Sequence, residues 1–293
     1  MSTAGRARIG SPRTARLVSL LGPAMVAGVA YLDPGNVASN ATAGSRYGYL
    51  LVWVVVVANG TAWLVQYLSA KLGLSTGRSL PGLLGERMRH PVGRWAYWLQ
   101  AELVAMATDM AEVIGGAIAL QLLFGLPLVL GGLITGVVSM VLLVLHDRAG
   151  SRAFERAVTG LVVVIAVGLC AGAFVAPIDG AQAVAGLVPR FQDSDSVLLA
   201  ASIVGATVMP HAIYAHSALT RDRFGLVEVG DRRRVLVATR VDVTIALAVA
   251  GTVNVVILLL SAATLRSVGG TDTIPGAYHA LDQALGPVVA TLF

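Results

Sequence analysis

Residues 17–44 read LVSLLGPAMVAGVAYLDPGNVASNATAG, and the four residues DPGN at 33–36 interrupt an otherwise apolar run. About twenty apolar residues in a helix cross the roughly 30 Å hydrocarbon core of a bilayer. Proline lacks an amide donor and glycine tolerates unusual backbone angles, so Pro34 and Gly35 predict a locally unwound membrane helix. Carbonyl groups exposed at that depth are tolerated only against protein, water or an ion. The stretch therefore predicts either a buried helix junction or part of a polar pathway.

The composition of the whole chain agrees with a membrane protein. Of its 293 residues, 56% are hydrophobic and 13% are charged, whereas about 25% of residues in soluble domains are charged. The predicted fold class is an all-α polytopic membrane protein, with one transmembrane domain over 1–293 that begins with a tail at 1–16. Sufficiently long apolar runs predict seven full spans and the start of an eighth: 17–40, 49–70, 95–124, 128–145, 157–177, 197–219, 235–262 and 278–293.

The net charge of +5 follows from the placement of basic residues in the loops. Only Arg46, Arg190 and Arg266 fall in one set of alternate loops, which leaves 18 of the 21 lysines and arginines in the other set. Cytoplasmic loops carry the excess of positive charge, so the amino terminus is predicted to be cytoplasmic. Membrane topology thus explains the basic character, which predicts no nucleic-acid partner.

A second interruption lies in the sixth span, where residues 205–211 read GATVMPH. It comes five spans after the first interruption. Two broken helices in corresponding positions are typical of an inverted five-helix repeat, in which the breaks face one another at the membrane midplane. We predict a first repeat over 17–177 and a partial second repeat over 196–293.

Two interpretations are open for Asp33. A carboxylate near the centre of a bilayer costs several kcal/mol and usually has a functional partner. Asp33 and Asn36 offer two side-chain oxygens at a spacing that brings them together, so one interpretation is a cation site. The other is a structural cap, in which both side chains bind the amides of the following half-helix.

The second break offers different ligand atoms. Pro210 has no amide hydrogen, so the carbonyl of Ala206 lacks its helical donor. The thioether of Met209 is a soft ligand, unsuited to calcium or magnesium, although a lone methionine in a membrane helix usually only packs. His211 and His216 can carry protons or bind metal, with an interfacial structural role as the alternative. Together the two breaks favour a transition metal such as manganese or iron(II).

The third span carries Glu102, Asp109 and Glu112 within QAELVAMATDMAEVIGG. Their spacing of seven and three residues places them within about 80° on one helical face. Acids in membrane helices are expected to face the bundle interior and to relay protons. The alternative is hydrogen bonding between helices by protonated carboxyl groups.

Three motifs resemble signatures of the natural resistance-associated macrophage protein (Nramp) family: LGPAMVAGVAYLDPGN at 21–36, ATDMAEVIG at 107–115 and GATVMPHAIYAHSA at 205–218. The resemblance implies a LeuT-like inverted-repeat fold with discontinuous first and sixth helices. It implies metal binding by Asp33, Asn36, the Ala206 carbonyl and Met209. It also implies a proton route that starts at Asp33 and His211 and continues along the third span through Asp109, Glu112 and Glu102.

The function that the resemblance implies is proton-coupled import of manganese or iron(II) across a bacterial cytoplasmic membrane. Metal ion and protons are then substrates, the bilayer is the surrounding partner, and no cofactor is implied. Family members have eleven or twelve spans, so we expect a truncated chain with an incomplete second repeat, as a short form or as an inactive fragment.

Three alternatives belong to other functional classes. A sodium- or proton-coupled amino-acid symporter of the same fold would present free helix amino termini to a substrate carboxylate. A non-transporting membrane fragment would pack with a partner protein. An intramembrane hydrolase lacks a nucleophile and the HExxH zinc motif in this sequence, so the chain is predicted not to be an enzyme.

Overall fold

The structure, a computed structural model, describes residues 24, 28, 30–149, 151–225, 229–266, 273–286 and 290. Within these ranges the secondary structure is helical, without a β-strand. Eleven α-helices follow one another in the described chain: α1 Pro34–Tyr47, α2 Val52–Thr76, α3 Leu80–Arg87, α4 Pro91–Phe124, α5 Leu128–Ala149, α6 Ser151–Val175, α7 Gly180–Ala185, α8 Ser194–Thr207, α9 Pro210–Phe224, α10 Val229–Thr264 and α11 Ile274–Leu285.

The first predicted break is present, but it lies before the proline. Ala30–Leu32 form one turn of 3-10 helix, and Asp33 has an extended backbone with φ −71° and ψ 160°. Pro34 then starts α1. Proline suits the first position of a helix because its missing amide hydrogen has no partner there and its fixed φ is already helical. The expectation that Pro34 and Gly35 themselves unwind the chain is therefore wrong.

The second break separates α8 from α9. Val208 and Met209 have non-helical backbone angles, and Pro210 starts α9 in the same way that Pro34 starts α1. Both interruptions thus place a proline at the first position of the half-helix that follows.

The helix α10 is the centre of the packing. It contacts α1, α2 and α6. In its most apolar stretch of 18 residues 61% of the residues are buried, whereas the corresponding stretch of α4 is 6% buried. Close approach to α1 depends on Gly44, because a Cβ atom there would meet the Leu258 carbonyl oxygen and would lie 2.7 Å from Ser261 Cβ. α1 is therefore held between α10 on one side and α8 on the other.

The far end of α1 is tied to the start of α8. The Tyr47 hydroxyl donates a 2.9 Å hydrogen bond to Asp193, which caps α8 by accepting from the Ser196 amide at 2.7 Å. The hydrogen bonds from Ser196 and Tyr47 lower the pKa of Asp193 below its usual value. The two broken helices are thus joined at this end as well as at their breaks.

Among the residues that the structure describes, four segments are long and apolar enough to cross a membrane: 52–76, 91–124, 194–224 and 230–264. They agree with the second, third, sixth and seventh predicted spans. Shorter apolar helices at 128–144 and 162–175 occupy the fourth and fifth. The first and eighth predicted spans, like the tail at 1–16, lie partly or wholly outside the described residues. The short helices α3 and α7 lie in connections between the predicted spans.

Gly73 and Gly60 provide a matched test of the packing between α2 and α9. A Cβ atom at Gly73 would meet the Ser217 carbonyl oxygen of α9, whereas one at Gly60 has nothing within 4 Å. We expect Gly73→Ala to destabilise the fold by about 1–3 kcal/mol through overpacking. Gly60→Ala should be neutral or stabilising by up to about 1 kcal/mol, since alanine favours a helix.

The measurement is thermal unfolding of the detergent-solubilised chain, followed by circular dichroism. Equal unfolding temperatures for the two variants would contradict the close approach of α2 to α9.

Candidate metal centre

The side chain of Asn36 connects the two helix breaks. Its Nδ2 donates a 2.6 Å hydrogen bond to Asp33 Oδ1 and a 2.9 Å hydrogen bond to the carbonyl oxygen of Ala206, which is 170 residues away in sequence. Asn36 is completely buried. A carboxylate, an amide and a main-chain carbonyl from the two breaks therefore meet at one buried point.

The Ala206 carbonyl is available for this contact because of Pro210. A residue four positions further along a helix normally donates to such a carbonyl, and proline has no hydrogen to donate. The side-chain amide of Asn36 takes the place of that donor.

Asp33 also acts as the cap of α1. Its Oδ2 accepts from the Gly35 amide at 3.2 Å, and its Oδ1 accepts from the Asn36 amide at 3.0 Å. The capping interpretation therefore describes a real interaction. Capping does not use all the acceptor positions of the side chain, because an ionised carboxylate has about four lone-pair positions.

Thr207 is a member of the site that the sequence interpretation missed. Its hydroxyl lies 2.9 Å from Asn36 Oδ1 and 2.7 Å from the carbonyl oxygen of Ile203. A hydroxyl has one hydrogen and can donate to only one of these oxygens at a time. Thr207 lies within the GATVMPH motif, so its place in the site could have been predicted from that motif.

Met209 and His211 follow the second break. Met209 is 4% exposed, and its non-helical backbone forms part of the second break. Among the described residues, the buried Nδ1 atom of His211 has no hydrogen-bond partner. Asp33 and Asp109 both lie close enough to the imidazole to interact with it electrostatically.

The acids of α4 approach the site from the side. The backbone of α4 touches α1 at Gly115, where a Cβ atom would overlap the ring of Pro34. Asp109 and Asp33 both interact electrostatically with Glu112. Seven residues, or roughly 10 Å along a helix, separate Glu102 from Asp109.

The expectation that the three acids face the bundle interior is not met in the described part of the chain. Glu102, Asp109 and Glu112 are all exposed, and Ala117 is the one buried residue of α4 there. The physical reason is that α4 packs mainly on α5, with only edge contacts to α1, α9 and α11.

A second buried network lies beside the breaks and was also missed. Gln66 Oε1 accepts a hydrogen bond from Nδ1 of His216 at 2.8 Å, and Gln66 Nε2 donates to the Tyr31 hydroxyl at 2.8 Å. Asn254 donates to the Tyr31 carbonyl oxygen at 3.2 Å. Gln66 and Asn254 are isolated polar residues in apolar spans, which is a signal that the sequence contained. His216 is therefore a buried residue, hydrogen-bonded through Nδ1, rather than an interfacial one.

The charged and sulfur ligands alone do not form a metal cluster. Across the described ranges, no three His, Cys, Asp or Glu side chains are placed to hold one ion. A metal at the breaks would therefore depend on the mixed set of one carboxylate, one amide, one carbonyl and one thioether.

Comparison with known families agrees with this arrangement. The family profile described as natural resistance-associated macrophage protein-like (Nramp) matches residues 24–293. The chain belongs to the Nramp family. The three motifs at 21–36, 107–115 and 205–218 all overlap the matched region, so the resemblance drawn from them is confirmed.

Relatives of the Nramp chain carry transporter names. It is 58% identical over 275 residues to a divalent metal cation transporter MntH of Mycobacterium tuberculosis, covering 94% of this chain and 64% of that protein. It is 47% identical over 280 residues to the protein of the same name from Deinococcus radiodurans, covering 95% and 64%. The chain thus spans a little under two thirds of the length of these relatives.

The fold of the Nramp chain matches a solved structure. A crystal structure of the Eremococcus coleocola manganese transporter superposes with a TM-score of 0.83 at 30% identity, covering 94% of this chain and 60% of that one. The predicted all-α, LeuT-like membrane fold is confirmed. The chain is an integral membrane protein of a family of transporters, and the expectation that it is not an enzyme agrees with those names.

Proposed function

We propose that this Nramp chain binds a divalent transition metal between its two helix breaks, as part of proton-coupled import of manganese or iron(II). The observation that carries the proposal is the meeting of Asp33, Asn36 and the Ala206 carbonyl at 2.6 and 2.9 Å. The names of the relatives as divalent metal cation transporters, and of the structural neighbour as a manganese transporter, support the substrate class.

The amide group of Asn36 occupies the place that a cation would take. Its hydrogens carry partial positive charge and lie between two oxygens. Rotation of the amide by half a turn would present Oδ1 to an ion and Nδ2 to Thr207. Thr207 would then accept from Nδ2 and donate to the Ile203 carbonyl oxygen, which is already 2.7 Å away. Every polar group would keep a partner, so metal binding requires no unpaired buried group.

Met209 supplies the proposed selectivity. Its buried thioether lies one residue before Pro210, on the chain that carries the Ala206 carbonyl. Calcium and magnesium take oxygen ligands, whereas sulfur is accepted by softer transition metals. A site with one sulfur among oxygens would therefore favour manganese or iron(II).

The proposed proton route starts at the metal site. Asp33 and His211 interact electrostatically, and both interact with acids of α4. We assign Asp109 and Glu112 to the next step and Glu102 to the exit. Binding of a dication to a ligand carboxylate displaces protons from it, which is the physical basis of coupling.

The proposed topology follows the distribution of arginine. The amino terminus and the arginine-rich loops would lie in the cytoplasm, and the membrane would be the bacterial cytoplasmic membrane. Residues 17–177 would form the first repeat and 196–293 part of the second, within one transmembrane domain over 1–293.

One alternative, an amino-acid symporter, is disfavoured by the cap of α1. A substrate carboxylate would need the free amides at the start of a half-helix. In this chain Asp33 already accepts from the amides of Gly35 and Asn36. The other alternative, a fragment that does not transport alone, is separated from transport by comparing metal binding with metal uptake in proteoliposomes.

The main test distinguishes a metal ligand from a helix cap at Asp33. Asparagine is as good a helix cap as aspartate in general, so Asp33→Asn keeps one acceptor oxygen for the cap and removes the charge. Loss of a residue that only hydrogen-bonds to a metal ligand costs about 10–100-fold in metal affinity. Asp33 is proposed as a ligand itself, so we expect Asp33→Asn to weaken manganese binding by more than about 100-fold. The measurement is isothermal titration calorimetry of the detergent-solubilised chain with MnCl₂.

Asp179→Asn is the control, because Asp179 caps α7 and is remote in sequence from both breaks. It should bind manganese like the unmodified chain. Retained affinity in Asp33→Asn would reduce Asp33 to a structural cap and defeat the metal proposal.

Met209→Leu tests the role of sulfur at nearly constant volume. Removing the thioether should lower the preference for manganese over magnesium by about tenfold, or about 1.4 kcal/mol. Competition between the two ions in the same calorimetric assay measures this ratio. Met140→Leu, at a 63% exposed position on α5, is the control. An unchanged ratio in Met209→Leu would remove the argument from sulfur.

His211→Gln tests the proton route. The number of protons released per manganese ion is obtained from the binding enthalpy in buffers of different ionisation enthalpy. We expect fewer protons released by His211→Gln, while His90→Gln, at the exposed start of α4, should match the unmodified chain. The same proton count in both variants would exclude His211 from coupling.

A further inference from the structure

A cavity of about 370 Å³ opens between α2 and the arginine-rich start of α10. Its lining is half arginine and contains no acidic side chain: Tyr67, Arg232, Arg233, Leu236, Val237 and Arg240. None of these lining residues belongs to the proposed metal site, and nothing in the metal proposal uses the cavity.

Two of the three arginines are available to a ligand. Arg232 and Arg233 are exposed, and no hydrogen bond or ion pair engages either of them within the described ranges. Three guanidinium groups without a carboxylate among them leave a concentrated positive charge. Such a cavity is suited to an anion.

Arg240 is held in position at the inner wall. Its guanidinium carbon lies 5.8 Å from the centre of the Trp63 ring, and the Trp63 indole donates a 3.0 Å hydrogen bond to the Thr244 hydroxyl. Tyr67 stacks on Trp63 with ring centres 6.2 Å apart. Tryptophan and tyrosine are enriched where a membrane protein meets the headgroup region. The cavity therefore has the aromatic surroundings of a membrane interface.

An apolar stripe begins at the cavity and runs along α10. Val237, Val241 and Ile245 are 51%, 37% and 46% exposed, and their spacing of four residues places them on one face. The stripe leads from the arginines into the apolar part of α10. An acyl chain would find a surface there that a free inorganic anion would not use.

We propose that this cavity binds the phosphate headgroup of an anionic phospholipid, with one acyl chain on the stripe of Val237, Val241 and Ile245. Arg232, Arg233 and Arg240 contact the headgroup. Guanidinium groups bind phosphate through paired hydrogen bonds, and basic pockets between membrane helices are suited to anionic lipids. The lipid belongs to the leaflet on the arginine-rich side.

Native mass spectrometry of the chain in a neutral detergent tests this site. The chain is titrated with phosphatidylglycerol, with phosphatidylcholine of the same acyl chains and with inorganic phosphate. We expect retention of one phosphatidylglycerol in preference to phosphatidylcholine, and no displacement by millimolar phosphate. Each arginine near a membrane surface contributes about fivefold in affinity, so Arg232→Gln with Arg233→Gln should weaken retention about 30-fold.

The matched control is Arg87→Gln with Arg89→Gln, an exposed pair at and just after the end of α3 that removes the same charge. It should retain phosphatidylglycerol like the unmodified chain. Equal losses in both double variants would show an effect of net charge without a site. Equal retention of phosphatidylcholine, or displacement by phosphate, would overturn the assignment to an anionic lipid.

Discussion

The structure depends on one constraint: a main-chain group inside a membrane must find a partner. Helix α8 ends in the middle of a membrane-spanning segment, and Pro210 leaves the Ala206 carbonyl without its helical donor. The partner comes from the other interrupted helix, as the side chain of Asn36. Each break therefore makes the other tolerable. The same requirement that forces the two unwound segments together also concentrates oxygen atoms at a buried point.

Packing around this junction holds the half-helices in place. Gly44 brings α1 against α10, Gly115 brings α4 against Pro34, and Tyr47 ties the far end of α1 to the cap of α8. Small residues and capping groups, rather than large apolar side chains, set these approaches. In a bilayer this is expected, because lipid competes for apolar surface but not for close backbone contact.

Much of this arrangement could be predicted from sequence, because the decisive residues break a strong pattern. Asp33, Pro34 and Pro210 stand out in apolar spans, and their five-span separation predicts that they meet. The first break was predicted too far along the chain, since proline at the start of a helix and proline in its interior look alike in sequence. The bridge from Asn36 to Ala206 depends on a side-chain rotamer that only tertiary packing fixes.

The residues that were missed fall into two groups. Thr207, Gln66 and Asn254 are polar side chains within apolar spans, so closer attention to single polar residues would have found them. The exposure of the α4 acids is different. Periodicity placed Glu102, Asp109 and Glu112 on one face correctly, but a helical face does not report what covers it.

The buried amide of Asn36 has a consequence for turnover. If the site holds a metal as proposed, the ion would replace the hydrogen bonds that the Asn36 amide donates to Asp33 and to the Ala206 carbonyl. An arriving ion must displace that group, so part of its binding free energy is spent on the exchange. Cargo would accordingly be held less tightly than by a rigid chelating protein, and its departure would be assisted by the amide swinging back.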